Sequence, residues 1–385
     1  MNIKSLLLGS AAALVAVSGA RAADAIVVAE PEPAEYVRIC DVYGAGYYYI
    51  PGTETCLKVG GYLRYDIGVG MWGLQDVLDK KDLVDWDGES PLKTRDTYDK
   101  MMRAQINFDA RSETEYGTLR GYIALNFQRD TVRTSVYGFD GDDVITDPND
   151  PDAGARIGRF SDTSNAWGID HAIIQLGGLT IAYTDSLFES LTDSAGTVIQ
   201  DSIVGYTPGK THLIAYTFDG GNGFSATVGV EEGSGLGGTI DSYVPHIVAG
   251  ASFTQGWGKI AGVIAYDSVW EEVSGKVRVD VNVNDALTLW VMGGYTSADW
   301  KKGEDSYYSP WGGDWAIWGG GQYRFNEKAA LDVQLSYDDS KTFGAVVGVR
   351  YDVVPGFQIR PEIAYADYDN GDDDWGGYIR FQRSF

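Results

Sequence analysis

The chain has little of what soluble enzymes are built around. Its 385 residues include three histidines, His171, His212 and His246. They fall on separate segments, and none stands beside a nucleophile motif. No G-x-S-x-G, H-E-x-x-H or phosphate-loop pattern occurs, so hydrolase, zinc-protease and nucleotide chemistry have no local signature. Long apolar runs are missing too. After residue 22 no stretch approaches the ~18–20 apolar residues of a spanning helix, which excludes a helical membrane bundle. Basic residues are outnumbered, 30 Lys and Arg against 55 Asp and Glu for a net charge of −25. That balance argues against nucleic acid as a partner, because such binding rests on cations that neutralise phosphates. There are only two cysteines, Cys40 and Cys56. Their spacing does not match C-x-x-C and no histidine lies nearby, which leaves a metal or redox pair poorly supported.

What is abundant is glycine and tyrosine, 50 and 25 residues, a composition that suits strands and turns. Residues 1–22 read as a secretory signal. Lys4 supplies the positive start, 6–17 the apolar stretch, and Ala20-Arg21-Ala22 the cleavage pattern. In an exported chain, two cysteines this close read as a disulfide. Closing such a loop stabilises by roughly 3 kcal/mol in the chain-entropy model. Residues 23–55 form a lead, Ala-, Pro- and Glu-rich at first and then a Cys-bounded knot.

From residue 56 onward the chain reads as sixteen short alternating segments. The clearest is 276–284, where Val277, Val279, Val281 and Val283 oppose Lys276, Arg278, Asp280, Asn282 and Asn284. The segment at 166–176 alternates poorly. Connections of turn composition, at 177–178, 219–222, 255–258, 284–285, 326–328 and 354–356, follow even-numbered segments. The long ones, 68–100, 129–165, 187–210, 232–244 and 298–314, follow odd-numbered segments. A soluble sandwich gives no reason for that parity. A 16-stranded antiparallel transmembrane β-barrel does, with short periplasmic turns and long extracellular loops. Strands of about ten residues tilted near 45° rise roughly 23 Å, close to the apolar band of such barrels.

Aromatic residues give the barrel a direction. Tyr65, Phe127, Tyr183, Tyr266, Tyr295, Tyr337 and Tyr365 sit near the ends of odd segments, in phase with the apolar face. Phe108, Phe218, Phe253, Phe325, Tyr351 and Phe385 do the same on even segments. Two interfacial girdles follow. Pro361 falls inside segment 357–366 and cannot donate to a ladder, which predicts a local bulge.

The opposite phase carries charge. Lys58, Arg64, Arg103, Arg120, Arg278, Arg324, Arg350, Arg360 and Arg380 share it. An arginine facing lipid costs roughly 2–4 kcal/mol at mid-depth, so these side chains face a wet lumen. The acids Asp109, Asp280, Asp332 and Glu362 are available to balance them. A lumen open at both ends is itself a pore. The connection at 186–210 carries Glu189, Asp193 and Asp201; folded inward, it would set acids against the basic wall. Acidic stretches at 140–143, 147–152 and 372–374 match no calcium-loop pattern and read as solvated charge. No metal or cofactor is expected.

Several stretches resemble the alphaproteobacterial porin family, the general-diffusion porins of Brucella- and Rhizobium-like bacteria. They are 36–65, with its Cys-bounded knot running into the first strand, 166–172 (AWGIDHA), and the end 378–385 (YIRFQRSF). Arg383 departs from the apolar phase of that final strand. The resemblance implies a homotrimer in the outer membrane and passive diffusion of small hydrophilic solutes and ions. It implies a third loop folded into the lumen, a Cys40–Cys56 bridge, and a terminal Phe385 that resembles the signal read by the barrel-assembly machinery. Loop acids Glu189, Asp193 and Asp201 would face wall bases such as Arg64 and Arg103, with lipid and lipopolysaccharide around the barrel. Net acidity at the mouth suggests a slight cation preference. A sugar- or oligomer-specific channel and a blocked surface adhesin are the competing readings; an enzyme is not expected.

Overall fold

Lipid offers a backbone amide no partner, so strands crossing it must satisfy each other all the way round. The computed structural model, which describes residues 38–81, 92–140, 143–154, 156–369 and 371–385, meets that demand. The expected signal segment and the first part of the lead lie outside the described residues, as does part of the acidic stretch at 140–143.

Sixteen strands form the barrel wall. They are β1 (Cys56–Gly70), β2 (Asp99–Thr114), β3 (Gly117–Val136), β4 (Gly158–Leu176), β5 (Leu179–Asp185), β6 (Lys210–Gly221), β7 (Phe224–Glu231) and β8 (His246–Gln255). The second half comprises β9 (Gly258–Asp267), β10 (Glu272–Asn282), β11 (Leu287–Thr296), β12 (Trp315–Arg324), β13 (Ala329–Asp338), β14 (Phe343–Val354), β15 (Phe357–Asp367) and β16 (Asp373–Ser384). Each pairs antiparallel with the next. The ring closes where β16 meets β1, from Tyr62↔Ser384 to Gly70↔Gly376. Below that point β16 has run out, and Tyr48–Tyr49 of the lead pairs with Leu57 and Cys56 instead. The Cys40–Cys56 disulfide ties the knot to the same place.

All sixteen expected segments are strands, and the long–short parity holds. Three local expectations change. The poor alternation of β4 has a cause: Ala124 pairs with His171 and Leu125 with Ile169, so Asp170 is bulged out of register. Trp167, Ile169 and Ile174 are exposed on the outside, but the extra residue shifts the phase between Ile169 and Ile174. At Pro361 the expected bulge is absent. Pro361 pairs with Ile379 in an unbroken register. On the other side the matched pairs step from Gly348↔Glu362 to Tyr351↔Ile359 without a shift. A missing N–H interrupts the ladder there but does not change residue spacing; the irregularity of that hairpin sits between Asp352 and Val354, at the turn. Finally, the connection at 129–165 is shorter than expected, because β3 and β4 keep pairing out to Val136↔Gly158. Those outer turns mix Thr, Ser and Val on both faces, as strands do once they leave the apolar band.

The girdle aromatics point outward or lie half-exposed, with Phe127, Tyr295, Phe218 and Phe325 well exposed. The principal hydrophobic cluster is inside the barrel, where wall residues such as Leu213, Val248, Met292 and Trp318 pack against Phe188, Val204, Tyr206, Tyr308 and Trp311 of two loops.

Outward Val291 on β11 is exposed to lipid, and Val291→Arg should lower refolding stability in bilayers by roughly 2–4 kcal/mol. Gln322→Arg, on the lumen phase of the neighbouring β12, should change it little. Denaturant titration in lipid vesicles separates the two; equal losses would contradict the assigned faces.

Candidate functional site: a lumen narrowed by an inward loop

The connection 186–209 leaves the wall after β5 and enters the lumen. Ser186 caps a short helix, Leu187–Ser190, through a hydrogen bond its side chain accepts from Phe188 N. Glu231, on the lumen phase of β7, fixes this entry. Its carboxylate accepts from Ser186 Oγ and from Leu187 N, both at 2.7 Å. Phe188 is fully buried.

From there the loop runs along the inner wall from β9 to β15. Lys259 pairs with Asp193 at 2.7 Å. Arg278 donates to Ser194 O, and Lys276 Nζ donates to Tyr206 O at 2.8 Å. Trp318 Nε1 donates to Val204 O at 3.0 Å, and Gln334 Nε2 to Asp201 O at 2.8 Å. The Glu362 carboxylate accepts from Ile199 N at 2.6 Å and Gln200 N at 3.1 Å. Thr197 donates to Asp332 at 2.5 Å, and Arg360 donates to Thr197 O. These wall groups all belong to the polar phase of their strands. A buried loop carries amides and carbonyls that need partners, and the wall supplies them.

The basic residues of β16 and β1–β3 sit on the part of the wall these contacts leave bare. Arg64 and Arg103 are cross-strand partners on β1 and β2. Arg64 Nε lies 3.1 Å from Asp66, and Arg380 Nε 2.9 Å from the same carboxylate. Arg103 Nε donates to Gln128 at 2.7 Å. Arg120 pairs with Asp109 at 2.9 Å and lies over the Tyr122 ring at 4.8 Å. The Lys58 ammonium stands 5.7 Å from the Tyr47 ring of the disulfide knot, at the end of the barrel where the lead joins it.

The expected residues therefore divide. Arg64, Arg103 and Arg380 form a basic stretch over β16, β1 and β2, whereas Arg120, level with Arg111 and Cys56 in the register, belongs with Lys58 at the end where the lead joins. Arg360 belongs to the loop's seat, bonded to the loop itself. Among the loop acids, Asp193 is held by Lys259, and Glu189 accepts from Thr207 and Ser194. Asp201 accepts from Tyr206 Oη at 2.7 Å; burial pushes its carboxyl up to about 6. Among the described residues these acids make no ion pair with Arg64 or Arg103. The seat residues Glu231, Lys276, Trp318 and Gln334 were not singled out as a site from the sequence. Their signal was an inward phase, which dozens of others share. Among the described residues no cluster of His, Cys, Asp and Glu is arranged to hold a metal.

A closed barrel with an outward apolar band and a polar, loop-narrowed lumen defines an outer-membrane diffusion channel, not an enzyme. The chain belongs to the porin family: residues 24–384 match the family model described as the Porin subfamily. Porin Omp2b of Brucella canis is 44% identical over 400 residues, covering all of both chains. Porin Omp2a of Brucella melitensis is 45% identical over 395 residues, again over both full lengths. Among solved structures, the outer membrane channel DcaP of Acinetobacter baumannii aligns with a TM-score of 0.57 at 16% identity, over 88% of this chain and 99% of that one. A triple mutant of the Rhodopseudomonas blastica porin aligns at 0.54 and 14%, over 86% and 100%. These two share the fold.

Glu362→Ala should free the amides of Ile199 and Gln200. Hydrogen exchange at those two positions should accelerate, while the β14–β15 ladder stays protected. Unchanged exchange would mean the loop does not depend on this carboxylate.

Proposed function

We propose that the protein is a general-diffusion porin whose aperture lies between the 186–209 loop and the bare wall of β16 and β1–β3. The observation that carries this reading is the set of lumen-phase side chains, from Lys259 to Glu362, that bond the loop to one side of the barrel. Solutes would pass between loop acids and the wall arginines Arg64, Arg103 and Arg380, without a dedicated binding pocket. Protomers would assemble as homotrimers, with lipopolysaccharide around the outer rim and Phe385 serving the barrel-assembly machinery.

Proteoliposome swelling tests the reading. Rates for neutral sugars should fall smoothly with solute size. Selective uptake of one sugar would favour a specific channel, and no swelling would favour a blocked barrel.

A slight cation preference belongs to the same proposal, with a pH dependence that follows from Asp201. Its folded-state pKa of about 6 lies above the ordinary carboxylate value. The group is charged above that pH and neutral below it, so the lumen loses one negative charge on acidification. The cation-to-anion permeability ratio should drop as pH falls through about 6, and Asp201→Asn should remove that step. Reversal potentials in a salt gradient read both, and an identical step in the variant would contradict the assignment.

A further inference from the structure

The connection between β11 and β12, 297–314, contains aromatic residues packed into the interior cluster that passage through the lumen does not by itself require: Tyr307, Tyr308 and Trp311. An extracellular loop would keep such residues at the surface, yet Tyr308 is fully buried and Trp311 almost so. This loop dips into the barrel mouth. Tyr308 Oη donates to Glu231 Oε2 at 2.9 Å. That is the carboxylate holding Ser186 and Leu187, where the 186–209 loop leaves the wall. The Tyr308 ring also packs on Phe188, centroids 5.3 Å apart. At the loop's other end, Trp311 meets Trp318 edge-on at 5.7 Å, and Trp318 holds Val204.

The approach is close enough to require glycine on both sides. A Cβ on Gly205 of the inward loop would lie 2.5 Å from Pro310 O, and one on Gly294 of the wall 3.0 Å from the Trp311 ring. The bracing loop is itself pinned to the inner wall. Tyr307 N donates to Asp267 at 2.7 Å, and the Tyr307 ring stacks on buried His246, 5.6 Å between centroids.

We propose that 297–314 is a brace for the inward loop, and that Tyr308 and Trp311 are positioning residues that fix the aperture without lining it. This rests on the reading that the 186–209 loop sets the narrowest passage. Glu231 is the shared joint: its Oε2 accepts both from Ser186 Oγ, at the start of the inward loop, and from Tyr308 Oη of the brace. Removing the Tyr308 hydroxyl leaves one acceptor site of a buried carboxylate empty and releases the brace, while both loops keep their covalent length. The inward loop would then sample more than one position against its seat.

Planar-bilayer recordings on the purified full-length protein test this, with barrel formation checked by heat-modifiable gel mobility. Wild type should show one sharp conductance level for each pore. Tyr308→Phe and Trp311→Ala should lose that single level for several, close at lower voltage, and admit larger polyethylene glycol probes. Gly205→Ala, which sets a Cβ against Pro310 O, should broaden the open level in the same way without touching the Glu231 joint. Tyr308→Phe keeps the ring and so keeps the test alive should Trp311→Ala fail to fold. Unchanged levels and probe size in both Tyr308→Phe and Gly205→Ala would overturn the brace. Asp193→Arg separates the two proposals. If it leaves conductance and selectivity unchanged, the proposed aperture fails; if it shifts them while Tyr308→Phe does not, only the brace fails.

Discussion

Backbone hydrogen bonds that lipid cannot replace govern the whole molecule. A sheet in a bilayer with a free edge would leave a row of amides and carbonyls unpaired, each at a cost of several kcal/mol. Closure at β16–β1 removes that edge. It also divides every strand between two solvents, apolar outside and aqueous inside. The charged phase, the girdles and the pore itself follow from this division. Where the last strand ends short of β1, the lead covers the exposed edge with Tyr48–Tyr49, and the disulfide keeps it there.

The same demand operates a second time inside the lumen. A loop folded into the barrel brings backbone groups that water reaches poorly, and the wall must answer them. Lys276, Gln334, Glu362 and Trp318 each bond a loop amide or carbonyl. The polar wall thus has two jobs on two sides. From β9 to β15 it is a seat for the loop. Over β16, β1 and β2 its arginines remain available to the passage. The brace extends this logic from outside the seat, with Glu231 as the joint.

Much of the fold was legible because a barrel repeats one rule sixteen times. Period-two alternation gives the strands, loop parity gives the direction, and charge on one phase gives the lumen. What was not legible depended on single departures from that rule. The bulge at Asp170 made β4 look irregular, since one extra residue inverts the phase of everything after it. Pro361 looked like a bulge because the sequence shows a missing donor but not whether residue spacing changes. The site was harder. Arg64 and Arg360 read alike as inward cations, yet one stands on the bare wall and the other is bonded to the loop. That difference is set by where a loop of 24 residues (186–209) comes to rest, which periodicity does not encode. Tyr308 and Trp311 lay in a segment without alternation, so nothing marked them as interior.

The account stands on a continuous aqueous passage through the closed barrel. Single-channel recording of the purified wild-type protein in a planar bilayer tests that most directly. Stable, ohmic openings that insert as groups of three equal steps are the predicted result. A protein that assembles into the bilayer yet passes no current would contradict it.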